Sequence, residues 1–217
     1  MEIFLDTANV KEIKNCIESG CIKGITTNPT IISREKKTLS RCISDIRNVA
    51  GDLLILVEVI SDLSSEMVKE AREYVKMGPE MIIKLPMTKE GLEAAGILAK
   101  ENIRTAVTLV FSLSQAIAAS CAGADYVAPF IGRIEDAGFD GLDLIRSIRK
   151  TFDNCGAKTK IIGASIRSPR TAAQLFESGC DIVTVPGKVF EAMLVHPLTD
   201  KGLEKFKIDL EGMPKYF

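Results

Sequence analysis

The 217-residue sequence predicts an α/β protein, a single (β/α)8 TIM barrel with a C-terminal helical extension. Two observations lead to this prediction. Four times along the chain, a helical stretch ends at glycine and is followed by a short β-rich run that ends at or just before proline. Four further short apolar runs, rich in β-branched residues, lie between these copies, and amphipathic stretches separate all eight. Eight strand–helix units in a chain of this length are typical of a small parallel barrel.

The glycine-to-proline runs supply every second strand of the predicted barrel. Glycine past a helix end adopts the left-handed cap conformation, and proline cannot continue a strand ladder. These runs cover residues 20–29, 78–86, 123–129 and 179–186, and the other predicted strands cover residues 3–6, 54–60, 105–110 and 160–164. The eight predicted helices cover residues 10–19, 39–49, 64–77, 89–101, 114–121, 141–152, 169–178 and 188–194.

The second architecture considered is an open, doubly wound sheet. Such sheets usually carry a glycine-rich phosphate loop after the first strand. Here residues 6–9 follow that strand without a glycine, and neither a G-x-G-x-x-G nor a Walker pattern occurs, so the barrel is favoured. We expect one domain over residues 1–217, with a tail or helix from about residue 200, because Leu203, Phe206, Ile208 and Leu210 recur at roughly helical spacing.

Composition and charge exclude several classes of function. The net charge is −1, tryptophan is absent and aromatic residues make up 6%, which argues against nucleic-acid binding. The longest clean apolar run, residues 53–57, is too short to span a membrane, and the acidic N-terminal residues do not resemble a secretory signal. We therefore expect a cytoplasmic protein with no membrane association.

Histidine and cysteine usage argues against metal chemistry. His196 is the one histidine, and its position before Pro197 favours a structural role. The six cysteines form no C-x-x-C pair, so we expect reduced, mostly buried thiols.

Polar residues at the carboxyl ends of the predicted strands mark the candidate site, because the active sites of parallel barrels lie at that end. They are Asp6, Thr26, Thr27, Asn28, Glu58, Lys84, Thr108, Ser165 and Arg167. Lys84 is the most informative, since it interrupts a strand that is otherwise fully apolar. Desolvation disfavours the charged ammonium and makes free amine available for a Schiff base. Contact with a phosphate and a structural salt bridge remain alternatives.

The other candidates also allow two interpretations each. Asp6 and Glu58 could act as general acids or bases, or could be ion-pair partners of Lys84. Thr108 could hold a catalytic water, although threonine is common in strands. Arg133 and Arg167 could clamp a phosphate, although arginines in loops more often form surface salt bridges.

Five ordered segments resemble the transaldolase family, in its short bacterial and archaeal branch that also contains fructose-6-phosphate aldolase. The resemblance runs from residue 3 to about residue 210. The segments are Leu-Asp-Thr-Ala-Asn at residues 5–9, Thr-Thr-Asn-Pro-Thr at 26–30, Ile-Lys-Leu-Pro at 83–86, Thr-Leu-Val-Phe-Ser at 108–112 and Ala-Pro-Phe-Ile-Gly-Arg at 128–133.

The resemblance implies a class I aldolase barrel without metal or cofactor. By position, Lys84 matches the Schiff-base lysine and Asp6 the residue that handles the proton of the C4 hydroxyl. Glu58 and Thr108 match the pair that positions a water. Substrate contacts are implied for Asn28, which matches a residue on the three-carbon unit, and for a phosphate-binding set of Arg133, Ser165 and Arg167.

Two positions bear on the reaction that the resemblance implies. Aldolase members tend to have glutamine where this chain has Glu58, and tyrosine where it has Phe130. This favours a transaldolase of the pentose phosphate pathway, which passes dihydroxyacetone from sedoheptulose 7-phosphate or fructose 6-phosphate to glyceraldehyde 3-phosphate or erythrose 4-phosphate. Ala106 and Ile166 depart from the usual transaldolase asparagine and phenylalanine, and Ala106 keeps fructose-6-phosphate aldolase as an alternative.

Two other classes of function also fit parts of the sequence. A noncatalytic phosphosugar-binding barrel would keep Arg133 and Arg167 but has no use for Lys84 beside Glu58. A structural member with a role in assembly is a third possibility. The C-terminal segment could close the barrel's own flank, whereas the resemblance suggests packing on a neighbouring subunit. The expected partners are sugar phosphates and further copies of the chain, as a pentamer or decamer.

Overall fold

In the computed structural model, which describes residues 1–211, eight parallel strands close into a barrel in the order of the chain. The strands are β1 (Glu2–Asp6), β2 (Ile22–Thr26), β3 (Leu54–Glu58), β4 (Met81–Pro86), β5 (Thr105–Val110), β6 (Tyr126–Pro129), β7 (Lys160–Gly163) and β8 (Ile182–Val185). The pairing of β1 with β8, with Leu5 opposite Val185, completes the ring. The predicted (β/α)8 barrel is thus confirmed.

The described residues form eleven helices, whereas eight were predicted besides the C-terminal one. They are α1 (Val10–Ile17), α2 (Pro29–Arg34), α3 (Leu39–Ala50), α4 (Ser64–Val75), α5 (Lys89–Lys100), α6 (Leu113–Cys121), α7 (Ile131–Asp136), α8 (Gly141–Cys155), α9 (Pro169–Glu177), α10 (Gly187–Met193) and α11 (Pro197–Glu211). The short helices α2 and α7 are additions to the predicted set. Asn28 caps the first of them, and Pro29 occupies a position where its missing N–H costs nothing.

Two cores hold the barrel together. The inner one is a single cluster of side chains from the strands, made of Phe4, Leu56, Ile82, Ala106, Tyr126, Ala128, Ile162 and Ile182. The outer one lies between strands and helices and includes Leu5, Ile83, Val107 and Val183. Successive side chains of a strand point to opposite faces, so neighbouring residues divide between the two cores.

Gly24 has a specific reason to lack a side chain. A Cβ at this position would lie 2.8 Å from the ring of Phe4, which occupies the space inside the barrel. The glycine therefore makes room for the Phe4 ring in the inner core.

The strand predicted over residues 54–60 is shorter than expected. β3 ends at Glu58, and the Glu70 carboxylate accepts the backbone N–H groups of Ile60 (2.9 Å) and Ser61 (3.0 Å). These bonds fix the chain in a loop, which leaves Ile60 exposed.

The C-terminal segment is helical, but it does not cover the barrel. α11 begins at Pro197, earlier than predicted, and none of its side chains is buried. This contradicts the interpretation that it closes the barrel's own flank. His196 accepts the Leu198 N–H through Nδ1 at 3.1 Å, which supports the structural role predicted for it. The predicted continuation over residues 212–217 lies outside the described residues.

The burial of the cysteines and the character of the helices bear on two predictions made from composition. Cys16, Cys42 and Cys180 are buried, but Cys21, Cys121 and Cys155 are exposed, so the prediction of mostly buried thiols was wrong. Burial raises the pKa of the Cys180 thiol to about 12. No helix within residues 1–211 has the length and apolarity needed to cross a membrane.

Candidate functional site

A polar layer lies directly above the inner core. Two residues after Phe4, Leu56, Ile82 and Ala106, on the same inward-facing side of their strands, come Asp6, Glu58, Lys84 and Thr108. Strand pairing aligns them further, since Glu58 lies opposite Lys84 and Lys84 opposite Ala106. The period of two along each strand therefore brings four predicted site residues to one end of the barrel.

Lys84 is the centre of this layer. Its side chain is buried, with 5% exposed, and Nζ lies 3.1 Å from Oε2 of Glu58. Nζ also donates to the backbone carbonyl of Thr27 at 2.8 Å. The surroundings are thus less apolar than the strand pattern suggested, because two oxygen atoms satisfy the ammonium.

Thr108 contributes a hydroxyl group to the same polar layer. Its Oγ1 is buried and has no hydrogen-bond partner among the described residues. A buried hydroxyl without a partner costs free energy and is ready to accept or donate a bond to a molecule that enters. The next residue, Leu109, has a φ of 61°, where the register between β5 and β6 shifts. This bulge interrupts the ladder directly after Thr108, and pairing resumes at Val110 opposite Pro129.

A cavity of about 540 Å³ opens above this layer. Its walls include most of the predicted site residues, namely Asp6, Asn28, Lys84, Thr108, Phe130, Arg133 and Ser165. Glu58 does not line the cavity, but it contacts Lys84, which does. Asn28 has a second task, since its Oδ1 accepts the Ile31 N–H at 2.9 Å and caps α2.

Asp6 is held by a hydrogen bond from the neighbouring strand β2. Its Oδ1 accepts a hydrogen bond from Thr26 at 2.8 Å. Burial, the largest effect, raises the pKa of Asp6 above its ordinary value, while the charge of Lys84 and the Thr26 hydrogen bond oppose this and Glu58 adds to it. Asp6 is therefore a carboxyl that binds a proton more readily than an exposed aspartate does.

The raised pKa of Asp6 predicts a pH-dependent effect on stability. The folded state binds this proton more tightly than the unfolded state, so the stability gained is present below the unfolded pKa and is lost as pH rises through the folded pKa. We expect Asp6→Asn to raise the melting temperature at pH 7 by about 2 °C, a gain that shrinks toward pH of about 4. Asp52→Asn, at an exposed position, is the control in calorimetry. A lower melting temperature for Asp6→Asn at pH 7 would mean that its attraction to Lys84 outweighs burial.

Arg133 and Ser165 frame the cavity on the side of β6 and β7. The Arg133 guanidinium lies over the Phe130 ring, 5.0 Å from its centroid, and Phe111 meets this ring edge-on. Ser165 has a φ of 62°, an uncommon conformation for a residue with a side chain. Gly132 packs so closely that an added Cβ would lie 2.3 Å from the Ser165 carbonyl oxygen.

Arg167 departs from its predicted position. Both terminal nitrogens of its guanidinium donate to the two carboxylate oxygens of Asp136, and Arg167 does not line the cavity. This pair lowers the pKa of Asp136. The structure thus brings Arg133 and Ser165 to the cavity, but it holds Arg167 at the rim in a salt bridge.

Several residues of the cavity were not predicted. Arg34 at the end of α2 and Lys188 in α10 line it, and so does Thr184 in the polar layer. Thr184 follows Ile182 of the inner core by two residues, so the period of the strand could have indicated it. No sequence signal distinguished Arg34 or Lys188 from other surface cations. The described residues contain no group of three or more His, Cys, Asp or Glu side chains able to hold a metal ion.

Comparisons with known proteins agree on one family. The model of the Transaldolase/Fructose-6-phosphate aldolase family matches residues 3–215. The chain is 48% identical over 215 residues to a Listeria monocytogenes protein named "Probable transaldolase 1", covering 99% of this chain and 100% of that protein. It is 45% identical over 214 residues to a "Probable transaldolase" from Hydrogenobaculum, covering 99% and 98%.

One solved structure supports the fold alone. Thiamine phosphate pyrophosphorylase from Pyrococcus furiosus aligns with a TM-score of 0.61 over 85% of each chain, at 20% sequence identity.

Proposed function

The chain belongs to the Transaldolase/Fructose-6-phosphate aldolase family, and on this basis we propose that it is a transaldolase that works through a Schiff base on Lys84. The unit transferred is dihydroxyacetone, taken from a ketose phosphate and passed to an aldose phosphate. The observation that carries the proposal is the buried Lys84 amine, 3.1 Å from a carboxylate, at the floor of a cavity large enough for a sugar phosphate.

Schiff-base formation needs a free amine and a place for its proton. Glu58 is in direct contact with Nζ and takes that proton, after which the nitrogen lone pair forms a bond to C2 of the ketose. The C2 oxygen takes one proton from the attacking nitrogen and a second from the Glu58 carboxyl and leaves as water, which gives an iminium ion. The unpartnered Thr108 hydroxyl supports a role in holding this water together with Glu58.

Carbon–carbon cleavage needs a base at the C4 hydroxyl. In the proposed step Asp6 takes this proton, the O4–H electron pair forms the carbonyl of the departing aldose, and the C3–C4 pair moves into the enamine on Lys84. The raised pKa of Asp6 supports this role, because the carboxyl then holds the proton until it is returned to the acceptor. Fructose 6-phosphate would release glyceraldehyde 3-phosphate, and sedoheptulose 7-phosphate would release erythrose 4-phosphate.

Substrate binding is proposed for the residues on the cavity wall. Arg133 and Ser165 offer a cation and a hydroxyl to the phosphate, and Asn28, which lines the same cavity, would contact the three-carbon unit. Two of the five N–H donors of Arg167 bind Asp136, whose carboxylate offsets the guanidinium charge, so Arg167 is less available to a phosphate than Arg133.

The choice between transfer and release of dihydroxyacetone separates the two family activities. Phe130 has no proton to give to the enamine, which favours transfer, and so does Glu58 in place of glutamine. Ala106 favours the alternative, fructose-6-phosphate aldolase, because it lies fully buried beside Lys84 without a polar group for the substrate. A phosphosugar-binding barrel without catalysis would leave the contact of Lys84 with Glu58 without a purpose.

Reductive trapping tests the proposal directly. Borohydride is added with fructose 6-phosphate, and the intact mass and the modified peptide are measured. We expect a reduced three-carbon adduct on Lys84, and erythrose 4-phosphate added before borohydride should discharge it. No adduct, with fructose 6-phosphate shown to bind, would leave the phosphosugar-binding barrel as the better explanation.

We also propose that the chain forms a homo-oligomer through α11. Leu203, Phe206 and Leu210 lie at the spacing of one helix face and are each more than half exposed. A pentamer or decamer would bury this face on a neighbouring copy, in the cytoplasm where we place the enzyme.

An oligomer held by α11 should dissociate when its apolar face is charged. We expect Leu203→Glu combined with Phe206→Glu to lower the mass measured by light scattering to that of a smaller species. Lys201→Glu on the same helix should leave the mass unchanged. A wild-type monomer, or an oligomer unaffected by the double substitution, would contradict the proposed interface.

A further inference from the structure

A chain of two threonine hydroxyls runs from Asp6 on β1 through Thr26 on β2 to Thr184 on β8. Asp6 ends β1, which pairs with β2 on one side and with β8 on the other. Thr26 on β2 and Thr184 on β8 are both 3% exposed. Thr26 Oγ1 lies 2.8 Å from Asp6 Oδ1 and 2.6 Å from Thr184 Oγ1, so the three groups form a continuous chain.

The number of protons in this chain fixes its direction. A threonine hydroxyl has one proton to donate and can accept from others. Thr26 can donate to Asp6, or at the longer distance of 3.5 Å to the Leu5 carbonyl. Within residues 1–211, Thr184 Oγ1 has no hydrogen-bond partner besides Thr26. Both protons are used when Thr184 donates to Thr26 and Thr26 donates to Asp6, which is the shorter of the two contacts open to the Thr26 proton.

We propose that Thr184 is a positioning residue for Asp6, acting through Thr26 to fix the carboxylate with Oδ1 occupied and Oδ2 open to the substrate. By donating to Thr26, Thr184 keeps the Thr26 proton directed at Asp6. Hydrogen bonds in such chains polarise and strengthen one another, so the second hydroxyl adds to the stabilisation of the ionised carboxylate. The role in catalysis rests on the proposed transaldolase function, whereas the hydroxyl chain itself does not.

Several charges also act on Asp6 and must stay unchanged in a test. Lys84 on β4 and Arg34 on α2 favour its ionised form, and Glu58 on β3 disfavours it. The substitution Thr184→Val removes one hydroxyl and alters none of these charges. Thr184→Ser keeps the hydroxyl and is the matched control.

The first measurement is the titration of Asp6 in the whole protein, followed by NMR of 13C-labelled aspartate carboxyls. The signal that disappears in Asp6→Asn identifies the residue. We expect Thr184→Val to raise the pKa of Asp6, Thr26→Val to raise it further, and Thr184→Ser to leave it near the wild-type value. Because Thr184 acts through Thr26, adding Thr184→Val to Thr26→Val should cause no further change.

The second measurement is the pH dependence of turnover with fructose 6-phosphate and erythrose 4-phosphate. We expect Thr184→Val to lower kcat about fivefold with little change in KM, and to move the acid limb of the profile to higher pH. Thr184→Ser should recover the wild-type profile. A purely structural role would lower kcat without moving the limb.

The outcomes separate this proposal from the proposed function. Two results would contradict the hydroxyl chain even in an active transaldolase. One is an unchanged pKa of Asp6 in Thr184→Val. The other is an equal effect of Thr184→Val on that pKa in the wild type and in Thr26→Val. If the titration behaves as expected but the wild type turns over no sugar phosphate, the transaldolase function fails and the chain from Thr184 to Asp6 stands.

Discussion

Lys84→Ala should abolish transfer, with kcat/KM reduced on the order of 10⁴-fold or more, because in the proposed mechanism Lys84 supplies the nitrogen that bonds to the substrate. The measurement is the coupled assay with fructose 6-phosphate and erythrose 4-phosphate, together with borohydride trapping. Retained turnover would contradict the Schiff-base mechanism outright.

Stability must be measured beside activity in this variant. Removing one partner of a buried ion pair leaves the other charge uncompensated, which costs about 3–5 kcal/mol in a fully buried pair. The Glu58 carboxylate can relieve this by taking up a proton, so we expect a lower melting temperature but an intact fold by circular dichroism. Lys160→Ala is the matched control and should keep full activity. It removes an exposed lysine from the first position of β7, at the end of the barrel away from the cavity.

Phe130→Tyr should convert part of the transfer activity into release of free dihydroxyacetone. The new hydroxyl would extend the half-buried ring that lines the cavity and could donate its proton to C3 of the enamine. Water would then hydrolyse the iminium and free Lys84, and the tyrosinate would regain a proton from solvent. We expect dihydroxyacetone release from fructose 6-phosphate, without an acceptor, to rise at least about tenfold.

The control for this variant adds the same hydroxyl nearby. Phe111 meets the Phe130 ring edge-on, with ring centroids 6.2 Å apart, and is 42% exposed. Phe111→Tyr should not change the ratio of release to transfer. If Phe130→Tyr also leaves that ratio unchanged, residue 130 does not control protonation in this enzyme, and the preference for transfer has another origin.

The sequence was sufficient to predict those site residues whose position depends on the pattern of a single strand. Asp6, Glu58, Lys84 and Thr108 interrupt apolar strands near their carboxyl ends, and parallel strands bring those ends together. Thr184 obeys the same period, but a threonine within a β-branched run is ordinary for a strand, so the residue did not stand out from its neighbours. Its importance becomes visible only when β8 closes on β1.

The arginines could not be placed in the same way. Arg133 and Arg167 both follow strand ends, and the resemblance assigned both to the phosphate. The structure directs Arg133 to the cavity and ties Arg167 to Asp136. These two partners are separated by 31 residues and come from different strand–helix units, so no local pattern relates them.

By itself, the sequence determined the strand–helix alternation, the barrel and the residues that face its open end. Apolar periodicity, glycine caps and proline stops are properties of neighbouring residues, and they act wherever the chain folds. The tertiary structure decided which polar groups pair: Lys84 with Glu58 and Thr27, Asp6 with Thr26, Thr26 with Thr184, and Arg167 with Asp136. These pairs depend on the register between strands and on distances of a few ångströms across the barrel, which are set only when all eight strands have closed.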